Sequence, residues 1–165
     1  MNRTFLRHIH LTVILAVMLT AFAACIEDSI STSPADQPEF STDTLRFGTQ
    51  YSDEVTPTMM LMVYNRHDKV MSISDISIEG DDGVFRLNVD GFSGTRFSGV
   101  EIRPNDSIYV LVSARFPTNG DFEPARVDRT LTFTTNGVTR KVVLTAESQD
   151  VERLTDPVIT ADTRW

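Results

Sequence analysis

Cysteine is almost absent from this chain of 165 residues: there is one, Cys25. A single thiol excludes an internal disulfide framework and a multi-cysteine metal site. Histidine is scarce as well. His8 and His10 lie close to the start, and His67 is the only one after residue 24. One histidine, with no second histidine and no cysteine beyond Cys25, does not complete a usual zinc site or a Cys–His nucleophile pair. Tryptophan occurs once, at Trp165. No acidic residue precedes Glu27. Elsewhere the bases are outnumbered, 15 Lys and Arg against 23 Asp and Glu, for a net charge of −8. That balance excludes the basic footprint of a nucleic-acid binder. An apolar run of roughly 20 residues, the length that spans a bilayer, is also missing.

The first 25 residues nevertheless have a plan. Arg3 and Arg7 give a positive start, residues 11–24 are apolar apart from Thr12 and Thr20, and Ala23-Ala24-Cys25 closes the run. This is the layout of a bacterial secretion signal. Two cleavages fit it. Ala21-Phe22-Ala23 has the small-x-small pattern that releases a soluble protein. Phe22-Ala23-Ala24-Cys25 resembles a lipobox, with Phe22 where leucine is usual, and would place a diacylglycerol on Cys25. The lone cysteine at this position favours the second, with residues 1–24 as a lipoprotein signal peptide. Its removal deletes two arginines and no acids, so the remaining charge is 13 minus 23, or −10.

Residues 25–41 are rich in Ser, Thr, Pro, Asp and Glu, and their composition predicts a flexible linker. From 42 to 148 short β-branched and aromatic runs alternate with turn clusters, the pattern of an all-β immunoglobulin-like antiparallel sandwich of about seven to eight strands. Strands are expected at 44–47, 59–64, 70–78, 84–89, 100–102, 108–116, 130–134 and 139–145. The run 59–64 is apolar at both parities and reads as a strand covered on both faces. Between Ile73 and Ile76 the apolar phase shifts, which requires a bulge or a change of sheet near Asp75. A Gly/Ser-rich loop is expected over 91–99. Asn136-Gly137 is the pair preferred in a two-residue type I′ hairpin turn. Residues 149–165 form a tail or the start of a further domain.

Taken in order, Val63-Tyr64-Asn65, Ile73, Ile76-Ser77-Ile78, Phe85-Arg86-Leu87, Ile102-Arg103-Pro104-Asn105-Asp106-Ser107 and Leu131-Thr132-Phe133 before Asn136-Gly137 are similar to the immunoglobulin-like domains of the ASH and major-sperm-protein type. More narrowly, they resemble the N-terminal domain of Bacteroidota lipoproteins of unassigned function. The resemblance covers about residues 42–148. It implies a sandwich often followed by a larger β-helical region, and the tail ending Ile159-Thr160-Ala161-Asp162-Thr163-Arg164-Trp165 looks like a linker entering another strand. Glu27 and Asp28 resemble the acidic export signals of surface lipoproteins in the same phylum, or are simply part of a polar linker. Asp28-Ser29-Ile30, Asp43-Thr44-Leu45 and Asp106-Ser107-Ile108 resemble its short O-glycosylation motif, which makes Ser29, Thr44 and Ser107 candidate acceptors. The resemblance brings no catalytic residues.

The remaining polar residues read blandly. His67, in Asn65-Arg66-His67-Asp68-Lys69, is expected to be an exposed turn residue. Glu79, Asp81 and Asp82 lack the alternating spacing of a calcium loop and are expected to form a solvated turn. No acid stands in a catalytic context, so we expect no enzyme, no metal and no cofactor. Among the aromatics, Tyr64 and Tyr109 fall on strands and Tyr51 between them. Phe92 and Phe97, in the Gly/Ser-rich loop, are the candidate ligand contacts unless they fold back to cap the sandwich. The expectation is an exported cell-envelope protein, lipid-anchored to the outer membrane and facing outward or into the periplasm. Its sandwich would be a spacer or protein-interaction module. The alternatives are a carbohydrate-binding surface module and an accessory domain of a larger surface protein or enzyme. The expected partners are the membrane, through Cys25, and another envelope protein or a downstream domain, with a glycan as the alternative.

Overall fold

The computed structural model describes residues 29–120 and 122–152. The expected signal peptide 1–24, Cys25, Asp28 and the expected tail from 153 onward lie outside the described residues. Eleven strands follow in order: β1 Glu39–Phe40, β2 Thr44–Tyr51, β3 Met59–Tyr64, β4 Met71–Glu79, β5 Phe85–Val89, β6 Phe92–Gly94, β7 Arg96–Phe97, β8 Val100–Ile102, β9 Ser107–Ala114, β10 Ala125–Thr135 and β11 Val138–Gln149. They form two open sheets. One has the order β1-β3-β9-β5-β6, the other β2-β11-β10-β4-β7 with β8 also paired to β4. The fold is an all-β sandwich.

Period-two alternation builds its interior. On β9, Ile108, Val110, Val112 and Ala114 are buried while Tyr109 is exposed. Leu61 and Val63 of β3 and Phe85, Leu87 and Val89 of β5 face the same core, opposite Met71, Ile73, Ile76, Leu131, Phe133, Val142 and Leu144 of the other sheet. Phe85 stands at the junction, its ring centroid 5.7 Å from Phe47 and 5.8 Å from Phe116. Each such side chain contributes about 1.5–3 kcal/mol on burial, and no disulfide is needed to close the core.

Two local expectations hold. Thr135 pairs with Val138 across Asn136-Gly137, whose φ values of 51° and 79° are both positive, as a type I′ turn requires. On β4, Thr134 pairs with Asp75 but Thr135 pairs with Ile73. Ser74 is therefore the extra residue, and the bulge keeps both Ile73 and Ile76 in the core.

Other features differ from the sequence reading. The strand count is higher because the 91–99 loop carries β6 and β7, and because β1 adds to β3. Strand β3 is not covered on both faces: Met60 is 58% exposed, because among the described residues no layer lies outside its sheet. Strand β2 pairs with β11 in parallel, so the second sheet is mixed rather than wholly antiparallel.

The largest departure is the linker. From Ile30 onward the segment expected to be flexible is laid along the sandwich as an arm. Ser31 donates its amide to Val70 O at 2.8 Å and Val70 donates to Ser29 O at 3.1 Å. Ser31 and Pro38 are buried, and Phe40 packs its ring 4.7 Å from that of Phe133. Gln37 Nε2 donates to Thr135 O at 3.0 Å, and Asn136 Nδ2 donates to Ser33 O at 2.8 Å. Composition predicts that such a segment buries little apolar surface. Pro38 and Phe40, together with this hydrogen bonding, are enough to order it.

His67 is part of the same clasp, not an exposed turn residue. It is half-buried, with Nδ1 3.4 Å from Asp36 and Nε2 3.3 Å from Gln37 O. Asn65, fully buried, ties the loops together beneath it. Its Nδ2 lies 2.8 Å from Lys69 O and 3.0 Å from both Ile102 O and Arg103 O, while Oδ1 accepts the His67 amide at 3.0 Å.

Candidate functional site

The topology gives the sandwich two distinct ends. The arm joins at the start of β4, beside the Asn136-Gly137 turn. Strand β11 runs antiparallel to β10, so the chain leaves after Gln149 at the opposite end. Strand β10 has 11 residues, which at about 3.4 Å per residue separates the two ends by roughly 35 Å.

At the exit end, three large apolar side chains are exposed: Tyr51 at 51%, Val55 at 69% and Phe122 at 60%. Val55 bridges Arg115, one residue past the end of β9, and pairing around Gln149 brings the other two to the same end. Tyr51 lies opposite Gln149, Ser52 donates its amide to Gln149 O, and Gln149 Nε2 donates to Phe122 O at 2.8 Å. Asp150 closes the edge by accepting the amides of Asn119 and Gly120 at 3.0 and 2.7 Å. Sequence reading placed Tyr51 between strands and gave Val55 and Phe122 no role, because lone apolar residues in loops carry no periodic signal.

The two phenylalanines singled out in the sequence lie on one lateral cleft. Its volume is about 510 Å³, and Phe92, Phe97, Arg96 and Glu101 are among its lining residues. The cleft opens where β6, at the edge of one sheet, faces β7 and β8 on the other. Phe92 stands out at 75% exposure. Phe97 is half-buried and packs against the core. Its ring fits because Gly94 has no side chain: a Cβ there would come 3.0 Å from Phe97 Cζ. One phenylalanine therefore projects while the other folds back. Phe92→Ala is expected to change stability by no more than about 0.5 kcal/mol, as measured by urea unfolding, because so little of the ring is buried.

The acids are engaged locally. Asp81 Oδ1 accepts the Gly83 amide and Asp82 Oδ1 the Val84 amide, so this run is a turn held by its own carboxylates, with Asp82 also paired to Arg129. Partial burial pushes the Asp82 carboxyl up, but the Arg129 hydrogen bond and the Val84 amide outweigh it and the net shift is downward. Asp75 is lowered chiefly by the Ser77 hydroxyl, against some burial, with help from Arg96. Asp128 is lowered by Thr145 and Arg126. Groups lowered in the folded state stabilise it above their unfolded value, near 3.8, and lose that contribution as the pH falls through the folded value. The melting temperature is expected to fall on acidification below about pH 4. Ser77→Ala should make the decline shallower, which a series of thermal melts measures.

Of the candidate glycosylation residues, Ser29 is exposed, while Thr44 and Ser107 are half-buried at the starts of β2 and β9. Cys25 lies outside the described residues. Among the described residues, no three His, Cys, Asp or Glu side chains are grouped as metal ligands would be.

No family model matches the chain, and no curated protein matches it by sequence. Solved structures do match in shape. A protein of unknown function from Porphyromonas gingivalis W83 is 12% identical, with a TM-score of 0.51 over 76% of this chain and 50% of that one. The likeness is one of fold. The chain thus spans half the length of that neighbour. A family 123 glycoside hydrolase from Clostridium perfringens, 8% identical with a TM-score of 0.48, covers 66% of this chain through 23% of its own. The CupB6 tip adhesin from Pseudomonas aeruginosa, 12% identical with a TM-score of 0.43, covers 67% through 40%. At these scores neither bears on what the sandwich does.

Proposed function

We infer that the protein is an exported, lipid-anchored envelope protein whose sandwich is a spacer and protein-interaction module. The observation that carries this reading is the opposition of its two ends. The chain reaches the sandwich at the turn end through a docked arm and leaves it some 35 Å away, beside Tyr51, Val55 and Phe122. A module that holds a downstream domain or an envelope partner away from its anchor needs that arrangement, and exposed apolar side chains at the exit give the partner a surface. The leader and Cys25 supply the anchor. The finer assignment, to Bacteroidota lipoproteins with an ASH or major-sperm-protein type domain, rests on the sequence motifs, and a neighbour from Porphyromonas gingivalis is in keeping with it. Display on the outer membrane, outward or toward the periplasm, belongs to the same reading.

Membrane fractionation tests the anchor. Cys25→Ala is expected to move the protein from the membrane to the soluble fraction. Retention on the membrane after a salt wash would contradict lipid on Cys25 as the attachment. Two acyl chains or more make the shift large, because each buried methylene adds about 0.8 kcal/mol.

A second reading has one observation in its favour: Phe92 projects beside a cleft also lined by Phe97, Arg96 and Glu101, as an aromatic platform for a sugar ring would. If the sandwich binds glycans there, Phe92→Ala removes that binding on a glycan array while leaving the fold intact. Unchanged binding would discard the cleft.

A further inference from the structure

We propose that the turn end of the sandwich, comprising loops 65–69 and 103–106 with the Asn136-Gly137 turn, rests directly on lipid headgroups, because the docked arm leaves almost no slack between anchor and fold. This step rests on lipidation of Cys25. The sequence alone predicts a linker over 25–41, long enough to let the domain swing freely. In the structure the chain is already held at Ser29, whose carbonyl accepts the Val70 amide. From Cys25 to Ser29 there are four residue steps, and even fully extended they reach no more than ~14 Å. That distance is less than half the length of the sandwich.

The point of attachment decides which end faces the membrane. Val70 directly precedes β4 and follows loop 65–69. Loop 103–106 is tied to that loop by the Asn105 amide on His67 O at 3.1 Å, and the hairpin turn is tied to the arm through Asn136 and Ser33. These three turns therefore share the tethered end. The chemistry of that end suits a headgroup layer. Ile30 is 50% exposed. Lys69 and Arg103 are exposed, and their side chains make no ion pair among the described residues. They are available to headgroup phosphates, and with Asp68 and Asp106 also exposed in the same loops this end is close to neutral where the chain as a whole is acidic. The clasp of Asp36, Gln37 and His67 then acts as the fastening that keeps the tether short, and the exit end projects away from the membrane.

The test uses the full lipidated chain on vesicles of phosphatidylethanolamine and phosphatidylglycerol that carry a nitroxide on the headgroup. Cys25 bears the lipid and offers no free thiol, so Asp68→Cys and Val55→Cys each accept one fluorophore, the first at the turn end and the second at the exit end. Quenching is expected to be several-fold stronger at position 68 than at 55. A long glycine-serine insertion after Glu27 should reduce it at 68 to the level at 55. Equal quenching at both positions on vesicle-bound protein, or strong quenching at 68 that survives the insertion, overturns the proposal while leaving the anchor in place. Protein that does not stay on the vesicles, or a Cys25 that itself takes the label, overturns the anchor and this proposal with it.

Discussion

Replacing Phe85 with alanine is expected to destabilise the sandwich by about 3–5 kcal/mol. The side chain is 1% exposed and makes ring contacts with Phe47 and Phe116. Phe47 belongs to the mixed sheet and Phe85 to the other, so the truncation opens a cavity on the seam between layers. Phe47 is held in β2, and Phe116 follows β9 with its carbonyl accepting the Asp53 amide; neither can readily move into the cavity, which puts the cost toward the upper part of that range. Aromatic contact adds a share beyond area, about 0.5–1.5 kcal/mol for each ring pair. For a domain of this size the loss corresponds to a fall in melting temperature of roughly 10–20 °C. Chemical unfolding of the soluble domain measures it, with Phe92→Ala as the exposed comparison. A loss below about 1 kcal/mol would mean that Phe85 does not join the two layers.

The second large effect is expected from Asn65→Leu. Leucine has a similar size, so packing is nearly conserved and the cost is polar. The substitution leaves the carbonyls of Lys69, Ile102 and Arg103 and the amide of His67 without the partner that Asn65 provides. An orphaned buried group costs about 1–3 kcal/mol. These four share one side chain, and water reaches the more exposed of them, so their costs do not add. A total of roughly 3–5 kcal/mol is expected. The damage should also be directional. Loops 65–69 and 103–106 loosen first, and the arm held by His67 loosens with them. Hydrogen exchange would show lost protection at Ser31 and Val70 before β10 and β11 are affected. A uniform loss across the sandwich would contradict the local role.

Asn65 also shows where sequence reading stops. It stood in a recognisable motif, yet nothing in Val63-Tyr64-Asn65 reveals three carbonyl partners, two of them far along the chain. Local signals were legible: two positive-φ residues at Asn136-Gly137 fix the hairpin, and the shifted apolar phase between Ile73 and Ile76 fixes the bulge. The buried face of β9 followed from alternation alone. Signals that depend on distant partners were not. The parallel pairing of β2 with β11 joins opposite parts of the sequence. The arm looks like a linker because its composition says nothing of Phe133 or Thr135, on which it packs. Strands β6 and β7 hide in a Gly/Ser-rich loop because their stability comes from β5 and β4. The candidate cleft was half legible. Phe92 and Phe97 were found together, but the missing Cβ of Gly94, which lets Phe97 fold back, was not apparent. At the exit end, Val55 and Phe122 come to the same end as Tyr51 only through the fold.

The proposed function joins these elements: a short tether from a lipidated Cys25 would hold one end of the sandwich, while the other end exposes Tyr51, Val55 and Phe122. Its foundation is the modification of Cys25. The most direct measurement is an intact and peptide mass of the native protein extracted from its membrane fraction. The account predicts an N-terminal peptide that begins at Cys25 and carries a diacylglyceryl group. An unmodified Cys25 in protein recovered from the soluble fraction would contradict it.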